Sequence, residues 1–442
     1  MNSIRTVCLC LLLSPWATAM TQVDDVATFT LSNSMKVIVL EDHSIPNASL
    51  FVFWKVGSRN EVPGITGLSH FFEHMMFNGA QRYGPKMFDR VMEAHGGSNN
   101  AYTSEDDTVY FDSFPVEAAP IIFDLEADRI AHLALDPCMV ESERGVVMSE
   151  RMTGLENNPW ELLSEQLRAV AFVASPYRWS VIGYDSDIKN WTRQDLRTYF
   201  ETYYAPNNAV AVLVGDLTVD QVKTLAKTWF EPIPSHTPPR PVHTVEPEQL
   251  GEKRLWVHKD VSATHLMIAY HAPEARSPEY YAMDLLASIL SEGKSSRLVS
   301  ALVDTQQVAV EISADCPRSF DRSLFCISAV ANKNVTAETL EKAIYKQIQV
   351  LITKGVTERE LQACQNRKLV QFYRSMETLG GKAGTLGTYE LFFGDYRKLF
   401  SAPAAYRQVT AKEVQAVAAK YLVPTNRTVG ILCPAKESIH AH

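Results

Sequence analysis

The sequence predicts an α+β fold of two homologous domains, each a mostly antiparallel sheet with helices packed on one face. Three observations carry this expectation. The second half repeats the first. Thr192-Arg-Gln-Asp-Leu, then Tyr203-Tyr-Ala-Pro-Asn-Asn and the apolar run to Val214, matches Thr410-Ala-Lys-Glu-Val, then Tyr421-Leu-Val-Pro-Thr-Asn and the run to Leu432, at an offset of 218. Self-similarity of this kind marks a duplicated unit. Within each copy, strands and helices come in blocks and do not alternate one by one, which is the layered α+β pattern. Six prolines between Pro232 and Pro247 form an extended, semi-rigid linker that divides the chain nearly in half. The domains read as residues 24–231 and 252–442, with the linker at 232–251.

In chain order, Met35 to Leu40 and Ser49 to Trp54 read as β-rich apolar strands, turned at Ser44-Ile45-Pro46-Asn47. A helix is expected over 66–79, closed by Asn78-Gly79, and a second over 85–95, ending at Gly96-Gly97. Ser98 to Thr103 is polar and extended, and Thr108 to Phe114 is a strand. Helices follow at 116–134, 138–154, 159–172 and 192–204. The second of these opens after Asp136-Pro137, a favourable start. Ala209 to Val214 is the last strand of the half. In the second copy, Leu255 to Tyr270 resembles Val37 to Trp54 and again precedes a helix.

The composition is that of a globular protein, with 46% hydrophobic and 21% charged residues. A net charge of −9 argues against nucleic acid as a partner. Arg5, the apolar run Val7 to Leu13 and the small-x-small Ala17-Thr18-Ala19 form a signal peptide at 1–19. The protein is therefore expected to be exported, to the periplasm or outside the cell. No stretch reaches the ~20 apolar residues of a membrane span. Five cysteines remain after the signal: Cys138, Cys316, Cys326, Cys364 and Cys433. None has Cys-x-x-Cys spacing, so a thiolate metal site is not expected. Cys316 and Cys326 flank what reads as a hairpin connection, where an exported protein could form a disulfide.

The stretch that carries chemistry is His70-Phe-Phe-Glu73-His74. On a helix, residues three and four apart share a face, so both imidazoles and the carboxylate converge. Two histidines there can hold zinc, and the glutamate can take a proton from water. This is the inverted form of the His-Glu-x-x-His pattern. The flanking Leu68, Phe71, Phe72, Met75 and Met76 bury the helix, and buried ionisable groups are costly unless paired or metal-bound. A catalytic zinc needs a third protein ligand. The helix at 138–154 and its end offer Glu141, Glu143, Glu150 and Glu156. Glu143 and Glu150, seven apart, share a face, but composition does not rank the four. At an offset of 214, His70, Glu73 and His74 fall on Asp284, Ala287 and Ser288, so only the first copy carries this set. Gly293-Lys294-Ser295 lacks the upstream glycine of a phosphate loop, and Gly380-Gly381-Lys382-Ala383-Gly384 lacks the spacing too. These glycines read as helix-end or close-packing positions.

His70-Phe-Phe-Glu73-His74 followed by Glu143 and Glu150 resembles the pitrilysin/insulinase family of zinc metallopeptidases, in particular the short two-domain type that includes the catalytic subunit of mitochondrial processing peptidase. The resemblance extends to Gly67-Leu-Ser-His, Asn100-Ala-Tyr-Thr, Ser175-Pro-Tyr, Tyr204-Ala-Pro-Asn-Asn and Gly293-Lys-Ser-Ser-Arg-Leu. It implies one Zn²⁺ per chain held by His70, His74 and Glu150, with Glu73 as general base and Glu143 as a supporting acid. It also implies that Asn100 and Ala101 lie on the edge strand that pairs with an extended peptide. Active members use an Arg-x6-Tyr pair from a later homologous domain. Here those positions hold Val303 and Val310. The expectation is therefore a heterodimer in which a homologous subunit supplies the Arg/Tyr pair. The alternative is an inactive member that only binds peptide or serves as a structural subunit.

Overall fold

The computed structural model describes residues 21–435; the expected signal peptide lies outside them. The N-terminal half runs β1 (Val26–Thr30), β2 (Lys36–Glu41), β3 (Asn47–Trp54), α1 (Leu68–Met75), α2 (Met87–Ala94), β4 (Ser98–Thr103), β5 (Thr108–Pro115), α3 (Ala119–His132), α4 (Pro137–Asn157), α5 (Pro159–Ala171), α6 (Asp185–Asn190), α7 (Arg193–Tyr203), β6 (Ala209–Gly215) and α8 (Val219–Trp229). The C-terminal half runs β7 (Lys253–Lys259), β8 (His265–Ala272), α9 (Tyr280–Ser291), a π-helical turn (Val299–Thr305), β9 (Ala309–Asp315), β10 (Ser323–Ala331), α10 (Ala337–Lys354), α11 (Glu358–Ser375), α12 (Leu379–Phe393), α13 (Lys398–Gln408), α14 (Ala411–Tyr421) and β11 (Arg427–Pro434).

Each half builds one sheet. Their strand orders are β1-β2-β6-β3-β5-β4 and β7-β11-β8-β10-β9. In both, the only parallel neighbours among the described residues are the first strand of the repeat and the last, β2 with β6 and β7 with β11. Both halves are thus antiparallel-dominated copies of one topology, as the offset of 218 required. No helix or strand falls between Trp229 and Lys253. The proline stretch there is anchored where Glu246 accepts the backbone N–H groups of Val173, Ala174 and Ser175 at 2.8–2.9 Å.

The sheets are covered on both faces. Leu50, Val52, Trp54, Ala211 and Leu213 pack into the core beneath their own helices. The alternate residues Ile38, Phe51, Phe53, Val210 and Val212 meet Ala383, Leu386 and Phe393 of α12, from the other half. Reciprocally, Leu163, Leu167 and Ala171 of α5 cover Met267, Ala269 and Leu432 of the C-terminal sheet. This exchange explains why Ser49–Trp54 and Ala209–Val214 read as continuous apolar runs: strands buried on both faces have no polar side to alternate with. It also accounts for the glycines of α12. A Cβ on Gly387 would lie 1.9 Å from the Phe53 ring, and one on Gly384 3.4 Å from Phe51. They are close-packing positions; for Gly384 this is one of the two roles expected of it, helix end or close packing.

Two expectations are adjusted. The motif helix is shorter than 66–79. Gly67 has φ of 89°, where a Cβ would meet the Ile182 carbonyl at 2.4 Å, so the helix begins only at Leu68. Cys316 and Cys326 are both free thiols.

Candidate metal centre

α1 is set by its caps and its apolar face. The Glu61 carboxylate accepts the N–H of Gly67 at 2.7 Å and of Ser69 at 2.8 Å, satisfying amides at the helix start. Leu68, Phe71, Phe72 and Met75 are wholly buried. That leaves His70, Glu73 and His74 on the remaining face, only partly covered. α4 lies against this face. It is capped by Asp136, whose side chain accepts from Cys138 and Met139. Two turns apart, its Glu143 and Glu150 both reach α1.

The structure brings His70, His74 and Glu150 together, with one ligand atom of each within 4.8 Å of the others. Glu150 oxygens lie 3.8 Å from His70 Nε2 and 3.5 Å from His74 Nε2. Ligands about 2.0–2.1 Å from a tetrahedral zinc stand roughly 3.3 Å apart, so the three donors fit one ion with little movement. His74 Nδ1 is 2.7 Å from Glu143 Oε1, which turns Nε2 toward the other two donors. Asn78 donates to the other Glu143 oxygen at 2.8 Å. His70 Nδ1 is buried without a partner. Of the remaining candidates, Glu141 faces away and pairs with Arg144, and Glu156 makes none of these contacts.

Electrostatics follow from burial and neighbours. Burial, reinforced by His74, drives His70 down to about 4, so its imidazole is neutral near pH 7. For His74, burial acts downward, but the Glu143 hydrogen bond and the charges of Glu143, Glu150 and Glu73 prevail and raise it. The His74 hydrogen bond holds Glu143 below its ordinary value. Burial raises the Glu73 carboxyl, against the opposing pull of the Thr103 hydrogen bond and His74. Thr103 Oγ1 donates to Glu73 at 2.6 Å.

Thr103, Asn78 and Glu61 are the site residues that sequence reasoning did not single out. Thr103 had a signal: in a strand, it shares a face with Ala101. Asn100 and Ala101 sit on β4, which among the described residues is an edge strand pairing only β5. Asn100 is exposed and its side chain accepts from the Ala101 N–H at 2.9 Å. Between the halves lies a chamber of about 1480 Å³ reached by His70, Thr103 and Glu150 from one side and by Met267, Glu311 and Ser313 from the other. Val303 and Val310 lie in the π-helical turn and on β9, where Val310 is exposed. Arg297 is held by Glu360 and the Gly355 carbonyl. Among the described residues, no helix is long and apolar enough to cross a membrane.

The sequence matches the insulinase (peptidase family M16) model over residues 36–184 and the peptidase M16 inactive domain model over 190–368. It is 31% identical to the zinc protease PqqE of Helicobacter pylori over 410 residues, covering 92% of each chain. It is 25% identical to mitochondrial-processing peptidase subunit beta of Lentinula edodes, covering 89% of this chain and 86% of the other. Among solved structures, a protease from Helicobacter pylori superposes with a TM-score of 0.89 at 30% identity, over 92% of this chain and 99% of that one. The fold is also that of the periplasmic protease PqqL of Escherichia coli, with a TM-score of 0.78 at 17% identity, over 94% of this chain but 48% of the other. The chain belongs to the insulinase family of peptidases.

Proposed function

We propose that this insulinase-family chain is the metal-bearing subunit of a zinc-dependent peptidase, exported from the cell and working with a homologous partner. The observation that carries the reading is the convergence of His70, His74 and Glu150 within 4.8 Å, beside a buried Glu73. His70, His74 and Glu150 would hold the ion, and Glu143 would orient His74. A zinc ion there supplies Lewis acidity toward the scissile carbonyl and toward water. Glu73 accepts the proton of the attacking water and delivers it to the leaving amine. Burial moves its carboxyl upward, in the direction that favours a proton carrier. Thr103 fixes the carboxylate that does this. β4 offers its free edge, at Asn100 and Ala101, to an extended peptide.

The partner reading rests on Val303 and Val310, which carry neither a cation nor a phenol. PqqL's first half alone covers 93% of this chain, so that fold holds about two such units in one polypeptide. That supports a working enzyme built from two. A second reading, an inactive peptide-binding subunit, is favoured by the same two valines and by the inactive-domain match over 190–368. Glu73→Gln separates them. It should keep about one zinc per chain and lose ~10²–10⁴-fold in peptide hydrolysis by the captured native complex. Unchanged turnover would sink the role of Glu73, and a chain that never holds zinc would favour the inactive reading.

A further inference from the structure

We infer that the groove on the α2 side of the metal centre is a subsite for a carboxylate on the peptide, downstream of the scissile bond, and that Lys86 and Arg90 read it. The inference deepens the peptidase reading and rests on it. The metal-binding face of α1 opens on two sides. One is the large chamber between the halves. The other is a separate groove of about 540 Å³, where Glu73, His74 and Glu143 face Lys86 and Arg90.

Lys86 immediately precedes α2 in a left-handed conformation, Arg90 lies in the first turn of the helix, and both line the groove. Both are exposed. Among the described residues, neither side chain has a carboxylate oxygen within 4.0 Å or a hydrogen-bond acceptor within 3.5 Å. The carboxylates of the groove are mostly engaged elsewhere. Glu73 accepts from Thr103, and Glu143 from His74 and Asn78. Asp89 accepts from Asn99 at 3.1 Å. Only Glu93, three residues past Arg90, is uncommitted. Those hydrogen bonds leave the carboxylates charged, so Lys86 and Arg90 stand out by lacking an ion-pair partner and not by the net charge of the groove: they are the two cations on its wall that can meet a carboxylate, beside the base.

The strand direction says which part of a peptide meets it. β4 runs from Asn99, tied to α2 through Asp89, to Thr103, tied to Glu73. All neighbours in this sheet except β2 and β6 are antiparallel. A peptide added to β4 in that sense passes Glu73 first and α2 afterwards. Residues after the scissile bond therefore approach Lys86 and Arg90. The carboxylate can belong to an Asp or Glu side chain or to the peptide's own C-terminus.

The test uses the zinc-loaded complex of the full chain with its native partner, carrying Glu73→Gln so that bound peptides persist. Fluorescence anisotropy compares labelled peptides that differ only downstream: neutral and amidated, acidic and amidated, or neutral with a free C-terminus. At least one acidic form should bind roughly fivefold tighter than the neutral one, a ratio that shrinks as salt is raised. Which form gains identifies the source of the carboxylate. Adding Lys86→Gln and Arg90→Gln should abolish the difference and leave zinc content and neutral-peptide binding in place. Arg90→Glu should turn the preference toward basic peptides. Equal binding of all three peptides, no binding of any, or a preference that survives the double substitution would overturn the subsite. If the preference holds and depends on these residues but the Glu73 complex cleaves nothing, the subsite stands and the peptidase reading falls.

Discussion

In the N-terminal half, α1 and α4 hold two imidazoles and a carboxylate around one point. In the C-terminal half the equivalent helices, α9 and α11, also face each other, yet they hold an ion pair. Asp284 stands where His70 would, and Lys368 is offset by 218 from Glu150, the offset of the repeat itself. The Lys368 ammonium lies 2.9 Å from Asp284, which also accepts from Tyr406 at 2.6 Å. The His74 position is Ser288, whose hydroxyl donates to Glu292 at 2.5 Å. One half leaves a gap between donors that a dication can fill. The other fills the same place with a cation of its own. The lesson is that helix packing fixes where charged groups meet, and a few side chains decide whether the meeting point is a ligand set or a sealed pair.

The largest effect should come from converting one half into the other. His70→Asp with Glu150→Lys writes the C-terminal pair into the N-terminal half. We expect a folded protein with no bound zinc and no peptide hydrolysis, read by metal analysis and circular dichroism. Retained stoichiometric zinc would show that these positions are not the ligands. A smaller effect tests the sealed pair. Lys368→Met leaves the largely buried Asp284 without its cation and should destabilise the protein by about 2–3 kcal/mol, since an uncompensated buried charge is costly. Pairing it with Asp284→Leu should recover most of the loss in thermal melts. If the single and double variants melt alike, the pair does not hold α9 to α11.

A third effect lies at the junction of the halves, where Asp106 accepts from Tyr177 of one and from the Phe320 N–H of the other. Burial pushes its carboxyl up to about 7, with the Tyr177 and Phe320 hydrogen bonds opposing. A folded value above the ordinary 3.8 means that the native state binds the proton more tightly than the unfolded chain does. Stability from this group is therefore complete below pH ~4 and declines as pH rises through about 7. Asp106→Asn should flatten that slope. Melting temperatures that keep the same pH dependence in the variant would refute the assignment.

Much was written in the sequence. The duplication was legible because both copies keep the same helix, tyrosine, proline, asparagine and strand, and a repeated pattern needs no tertiary information. The metal motif was legible because a helix makes spacing into geometry: residues 70, 73 and 74 share a face wherever the helix is placed. The candidate third ligand, Glu150, was legible only through the family resemblance. Glu141, Glu143, Glu150 and Glu156 look alike along one helix, and only the approach of α4 to α1 puts Glu150 near two imidazoles and turns Glu141 to Arg144. Nor could local pattern reveal that α5 and α12 cross to the opposite sheets, because an apolar strand face does not say which helix covers it. The same holds for Thr103, Lys86 and Arg90. Their meeting with Glu73 depends on how β4 and α2 fold back beside α1. Sequence periodicity fixes which residues share a face. Packing decides which faces meet, because burial rewards any apolar partner of the right shape and the chain's topology selects one.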